Sequence, residues 1–202
     1  MYIGRFVIAG RTAEGEGYLA YRVSSRSFPN RTIAVREDRA LVVPTADATP
    51  TDNPYVSYNC LRRCAGAVVV ANGSQVDPII EKATAGYPLR DAMALALLAL
   101  DYEHDQLNTP RVAAGWDLRQ GAAYLGIVAA DKLLVRQVEL APGAAYLIAT
   151  YELTDPTPIA LEGDAPEALC DALFACEYEL PVAALAVIPR AGGWAVASRA
   201  VR

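Results

Sequence analysis

The sequence predicts an α+β fold in which two antiparallel sheets stack as a sandwich covered by helices. About a dozen segments carry the period-two or short apolar patterning of strands. Helical periodicity is confined to three segments, grouped between runs of strands rather than alternating with them, which argues against parallel βαβ winding. Hydrophobic residues make up 53% of the 202 positions. A chain of that length can bury about 70% of its unfolded surface, as a core between two sheets requires.

Taken in order, residues 2–9 and 17–24 read as the strands of a hairpin, joined by glycines and charges at 10–16. Shorter strands at 32–36 and 41–43 flank the charged turn Glu37-Asp38-Arg39, and 44–54 is a polar loop too short to link two domains. Alternation over 55–62 puts Tyr58, Cys60 and Arg62 on one face; 65–71 reads as a buried strand and Asn72-Gly73-Ser74 as the turn that ends it. Pro78 suits the first turn of a helix over 78–85, which Gly86 stops. The next helix, 89–100, is apolar nearly all round, hence buried on most sides, and is too short and alanine-rich to span a bilayer. Asp101, Glu103 and Asp105 crowd its C-terminus, where the macrodipole favours cations, so helix stability does not explain them. Strands at 112–114, 122–129, 133–139 and 146–151 follow. A third helix at 165–175 has Asp164 as its cap and Pro166 in its first turn, and strands at 182–188 and 194–198 close the chain around a turn at 190–193. No repeat interrupts what reads as one domain over 1–202.

The net charge of -5 and a pI near 4.9 argue against a nucleic-acid or membrane-surface role, which needs a broad basic face. Arg5 interrupts the short apolar run at the N-terminus, so it is read neither as a signal peptide nor as a span, and the expected location is the cytoplasm. Cys60, Cys64, Cys170 and Cys176 lack the C-x2-C spacing of zinc sites, and the single His104 supplies no cluster. Reduced, mostly buried thiols and the absence of any metal or cofactor are therefore expected. Against this acidic background, residues 21–31 hold three of the eighteen basic residues, Arg22, Arg26 and Arg31, with three serines and Asn30. Guanidinium forks, hydroxyls and free backbone N–H groups together suit a bound anion. Asn72-Gly73-Ser74 either merely turns the chain or presents further N–H groups to that anion.

Four segments, namely 21–31, Asn53-Pro54-Tyr55-Val56-Ser57-Tyr58-Asn59-Cys60, Asn72-Gly73-Ser74, and Asp101-Tyr102-Glu103 through Leu107-Asn108-Thr109-Pro110-Arg111, resemble those of the archaeal-type IMP cyclohydrolases in order and spacing. The resemblance covers residues 1–130 well and thins in the C-terminal third. It implies a four-layer α-β-β-α sandwich of the Ntn-hydrolase-like type. The implied reaction is the last step of de novo purine synthesis, in which 5-formamidoimidazole-4-carboxamide ribonucleotide closes its six-membered ring to give IMP and water. One departure is Gln75, where the family often has histidine.

Such a ring closure needs two groups of one molecule held together, an oxygen stabilised as it gains charge, and protons moved off the attacking nitrogen and onto the departing hydroxyl. On these demands Glu103 or Asp101 can accept a proton, Tyr58 can donate one and Arg22 can steady the oxygen; the resemblance implies Arg22, Tyr58 and Glu103 as the reacting set. It implies a shell of Ser24, Ser27, Asn30, Arg31, Asn59, Asn72, Gly73, Ser74, Asn108 and Arg111 for phosphate, ribose and carboxamide. Each has a plainer alternative on its own: Tyr58 as a sheet tyrosine, Glu103 as a solvated helix end, Arg22 as a surface strand residue. Two other classes stay open, an Ntn-type amide hydrolase and a purine-nucleotide-binding module without catalysis. The first needs an N-terminal Thr, Ser or Cys, whereas this chain begins Met1-Tyr2. Exposed sheet edges and high hydrophobicity lead to the expectation of a homo-oligomer.

Overall fold

Strand pairing divides the chain into one sheet made of sequence neighbours and one assembled from both ends. The computed structural model describes residues 1–51, 53, 55–190 and 193–201. The neighbour-built sheet runs, in spatial and sequence order alike, through β3 (Arg31–Val35), β4 (Arg39–Pro44), β5 (Tyr58–Cys64), β6 (Ala67–Ala71), β7 (Arg111–Asp117), β8 (Ala122–Ala129) and β9 (Lys132–Val138). Helices α1 (Val76–Thr84) and α2 (Leu89–Leu100) interrupt it between β6 and β7. In the other sheet, β1 (Phe6–Arg11) and β2 (Gly17–Ser24) form the predicted hairpin. They lie between β10 (Ala145–Ala149), edged by the short β11 (Thr157–Pro158), and β12 (Pro181–Arg190), edged by β13 (Gly193–Ala200). All recorded pairings are antiparallel.

The period of two then sorts side chains into layers. On β2, Leu19, Tyr21 and Val23 face the other sheet, where they meet Val42, Leu61, Val70 and Leu125. Tyr18 and Ala20 face outward and pack with Leu169, Cys170 and Leu173 of α3 (Pro166–Ala175). Helices α1 and α2 cover the outer face of the seven-stranded sheet through Ile79, Ala92 and Met93. The order of layers is therefore α3, six-stranded sheet, seven-stranded sheet, α1 with α2. That is the α-β-β-α sandwich.

The structure corrects three local expectations. β1 begins at Phe6 rather than residue 2, because residues 2–4 leave the sheet and Gly4 turns with φ of 71°. Arg62 does not share a face with Tyr58 and Cys60: a register shift between Ala40 and Leu41 bulges β5, so Tyr58, Cys60 and Leu61 all enter the inter-sheet core. Arg62 instead joins Asn59 on the α1 side, both bonding Asp77. Asp164 does not cap α3; Ala165 holds that position with no side-chain bond, and Pro166 begins the helix as expected. The turn at 190–193 includes Ala191 and Gly192, and the 44–54 loop includes Asp52 and Pro54, which lie outside the described residues.

Candidate active site

Between the two sheets, at the edge where β1, β2 and β7 end or begin, lies a cavity of about 150 Å³. Tyr2, Gly4 and Arg5 line it from the N-terminus, and Ser24 to Phe28 with Arg31 from the segment after β2. Asn53 and Tyr55 come from the loop before β5, Glu103, Asp105, Leu107 and Thr109 from the loop after α2, and Thr150 and Tyr151 from the end of β10.

Its acidic centre is Glu103, only 1% exposed. Asp101, the residue after α2, takes a φ of 56° and ends the helix, so the next residues turn back under the sheet instead of running into solvent. The Glu103 N–H donates to the carbonyl of Thr109 at 2.8 Å. A guanidinium N–H of Arg5 donates to Glu103 Oε2 at 2.7 Å and another to the carbonyl of Asn72 at 2.7 Å. Arg111 stands 3.6 Å from Glu103 Oε1. That oxygen is buried and has no hydrogen-bond partner among the described residues, and the same is true of Ser24 Oγ. Burial works against the charge on Arg5, but Glu103, with the Tyr58 and Tyr21 hydroxyls, outweighs it and raises the Arg5 pKa well above its ordinary value. For Arg111 burial prevails over Glu103 and lowers the pKa.

A second layer fixes these groups. Asn72 Oδ1 accepts from the Val112 N–H at 2.8 Å and from Gln75 Nε2 at 2.7 Å, while Asn72 Nδ2 donates to the carbonyl of Pro110 at 2.9 Å. Gln75 Nε2 also donates to the carbonyl of Val112 at 3.0 Å, and its Oε1 accepts from Arg111 at 3.3 Å. Gln75 thus gives two bonds and takes one. A neutral imidazole has a single N–H, so a histidine here would keep only one of the two donations, to Asn72 or to Val112. A Cβ on Gly73 would lie 2.8 Å from Gln75 Oε1, 3.0 Å from Arg111 and 3.3 Å from Glu103 Oε1, so glycine keeps the backbone close to the carboxylate.

Among the residues expected at the site, Glu103, Ser24, Ser27 and Arg31 line the cavity, and Arg111 and Gly73 flank Glu103. Asn72 is fully buried and serves as the brace just described. Tyr58 lies deeper between the sheets, its hydroxyl 2.7 Å from that of Tyr21. Arg22 is placed elsewhere. It shares the outward face of β2 with Tyr18 and Ala20, and donates to the carbonyls of Leu173, Cys176 and Tyr178 at the C-terminal end of α3. Ser24, two residues further along β2, reaches the cavity, whereas the Arg22 guanidinium is directed to α3. Asn59 bonds Asp77 beneath α1, Ser74 is exposed beside the first turn of α1, and Asn108 is exposed with φ of 47° in its own turn. Asn30 borders a separate hollow with Pro29, Pro44 and Thr49. None of these four lines the cavity. Two functional candidates were missed, Arg5 and Tyr21. The available signal for Arg5 was an arginine inside an otherwise apolar strand start.

A sequence model of the IMP cyclohydrolase-like protein family matches residues 2–193. Similar proteins include the IMP cyclohydrolase of Halobacterium salinarum, 49% identical over 193 residues that cover 96% of this chain and 94% of the relative. That of Haloquadratum walsbyi is 46% identical over 195 residues, covering 96% and 93%. That of Methanococcus aeolicus is 40% identical over 185 residues, covering 89% of each. All three alignments reach well beyond residue 130, into the third of the chain where motifs were no longer recognisable by eye.

Proposed function

The chain belongs to the IMP cyclohydrolase-like family, and from that premise we propose that the cavity around Glu103 closes the ring of 5-formamidoimidazole-4-carboxamide ribonucleotide to give IMP and water. The observation that carries this reading is the buried, unpartnered Oε1 of Glu103, a carboxylate oxygen whose sibling is engaged by Arg5. In the reaction the carboxamide nitrogen attacks the formyl carbon, a C–N bond forms and the formyl oxygen becomes a hydroxyl; the C–O bond then breaks as the formamide nitrogen gives up its hydrogen to form the ring C=N bond, and the oxygen leaves as water with one hydrogen from each nitrogen. Glu103 Oε1 takes the proton from the attacking nitrogen, and a proton must reach the departing oxygen. Tyr58, paired with Tyr21, is the donor on that side. Arg5 pairs with Glu103 Oε2 and takes over the electrostatic role expected of Arg22. Arg31, with Ser24 and Ser27, binds the phosphate from the far side of the cavity.

We also assign a single domain over 1–202, an Ntn-hydrolase-like fold and a cytoplasmic homo-oligomer. The four layers support the fold assignment, and four free cysteines fit a reducing compartment. Exposed Leu95 and Leu98 on α2 beside Leu133 on β9 favour assembly. The decisive experiment follows the absorbance of the formylated ribonucleotide with purified protein and its Glu103→Gln and Tyr58→Phe variants. Turnover by the parent and a loss of about 10²- to 10⁴-fold in kcat for both variants, with KM largely kept, is the expected result. IMP binding without turnover by the parent refutes it in favour of a binding module. Near-normal kcat in both folded variants refutes the assignment of acid and base.

A further inference from the structure

Glu103 sits on a loop whose shape its own backbone does not favour. A single bridge, between Glu103 and Thr109, is its only regular pairing. Asp101 and Asn108 bracket the loop with φ of 56° and 47°, a region that residues with a Cβ mostly avoid. The interactions that hold it converge on Asp105. Its Oδ1 accepts from the N–H groups of Leu107 at 3.1 Å and Thr109 at 2.9 Å, and its Oδ2 accepts from the Thr109 hydroxyl at 2.8 Å. That hydroxyl has one hydrogen, which goes to Asp105. The Tyr151 hydroxyl, 3.0 Å away, must therefore be the donor in its contact with Thr109. Thr109 in turn receives the Glu103 N–H on its carbonyl at 2.8 Å. A chain of bonds thus runs from Tyr151 through Thr109 to the backbone of Glu103, with Asp105 holding Thr109 from within the loop.

We propose that Asp105 is a positioning residue for Glu103: it closes the loop so that Thr109 holds the Glu103 backbone, and thereby the free Oε1, at the place where the substrate proton is taken. The inference rests on the reading of Glu103 as the base. Asp105 also borders the cavity, but both of its carboxylate oxygens are engaged within the loop, and the consequence is a loss of turnover rather than of binding. A misplacement of about 1 Å at a reacting group is enough to cost on the order of 10²-fold in rate.

The test compares Asp105→Ala with Asp105→Asn. An asparagine keeps an oxygen for the two backbone N–H groups and turns its amide N–H towards Thr109 Oγ, so it closes the same loop. Ring-closure kinetics and hydrogen exchange at the Glu103 amide are measured on each folded protein. Asp105→Ala is expected to lower kcat by about 10- to 100-fold with KM within about 3-fold, and to speed exchange at least about 10-fold. Asp105→Asn is expected within about 3-fold of the parent on every measure. Three results overturn the proposal: kcat unchanged in Asp105→Ala, a rise in KM in place of the fall in kcat, or Asp105→Asn falling as far as Asp105→Ala. If Asp105→Ala does not fold, Thr109→Val removes only the hydroxyl arm, and unchanged Glu103 exchange and kcat there overturn it as well. An inactive parent would defeat the reading of the cavity, whereas the exchange comparison decides on Asp105 by itself.

Discussion

Replacing Arg5 by methionine removes the one close cation on Glu103 Oε2 while nearly keeping the side-chain volume. The two side chains are 10% and 2% exposed and 2.7 Å apart, so the bond is made away from water. Breaking a buried pair by deleting one partner costs about 3–5 kcal/mol, because the remaining charge stays desolvated. Arg111, 3.6 Å from the other carboxylate oxygen, softens the loss and favours the lower end. At about 2–4 °C per kcal/mol for a chain of this length, 3 kcal/mol lowers the thermal midpoint by about 6–12 °C. Glu103→Gln leaves Arg5 as the stranded charge and is expected to cost a similar amount. The double variant carries neither charge, so its loss falls short of the sum of the singles by about 2 kcal/mol. Thermal unfolding followed by circular dichroism at neutral pH reads all four proteins. Single variants within about 2 °C of the parent, or a strictly additive double, would refute the claim that this pair is coupled and desolvated.

Arg22→Ala strips the donor from the carbonyls of Leu173, Cys176 and Tyr178. It should therefore lower stability by about 1–3 kcal/mol in denaturant titration, with kcat unchanged while folded; a specific loss of kcat would return Arg22 to the reacting set. Arg31→Ala is expected to raise KM more than it lowers kcat, since Arg31 lines the cavity without an ion pair to Glu103 and its Nε is held by the carbonyl of Phe28 at 2.9 Å. Equal KM with a fall in kcat alone would contradict the anchoring role. Burial pushes the Cys60 thiol and the Tyr18 and Tyr21 hydroxyls up, in Tyr21 with help from Tyr58. Folded, they stay protonated where the unfolded chain ionises, so their stabilisation is complete below the unfolded values of about 8.5 for thiol and 10 for tyrosine and is lost as pH rises beyond them. Stability should fall by about 1.4 kcal/mol per pH unit for each group past its threshold, and a flat profile from about pH 8 to 11 would exclude this linkage.

The acidic cluster after α2 was legible because carboxylates oppose the dipole at a helix C-terminus, and Glu103 is indeed withdrawn from that end into the interior. The layers were legible through alternation, as on β2. Alternation says which residues share a face but not which of them reaches a cavity, and on one face of β2 Ser24 does while Arg22 is taken up by α3. Arg5 was hidden for a related reason: its partner Glu103 is 98 positions away, and no local pattern encodes a pair of that span. The bulge in β5 moved Arg62 to the α1 side, where Asn59 already lay, and a one-residue slip of this kind leaves no mark in composition. The short β11 pairs through only Tyr146–Pro158 and Leu147–Thr157, too few positions for any periodicity to register.

The two sheets also differ in when a growing chain can complete them. Strands β3 to β9 each pair with their neighbours in sequence, so the seven-stranded sheet has all its strands once residue 138 has been made. The N-terminal hairpin has to wait. Phe6 pairs with Ala149, and Ser24 with Pro181, so its outer edges stay open until the C-terminal third arrives. At about 5–20 residues per second, the stretch from 138 to 190 takes roughly 3–10 s to synthesise. Through that interval Val7, Leu19 and Tyr21, fully buried in the finished fold, belong to a two-stranded ribbon of the kind that is marginal in water. The cavity shares this schedule, since Thr150 and Tyr151 line it together with Arg31 and Phe28. A nascent chain halted before β10 carries Glu103 and Arg5 but no enclosure for them, so catalytic competence is acquired only late in synthesis.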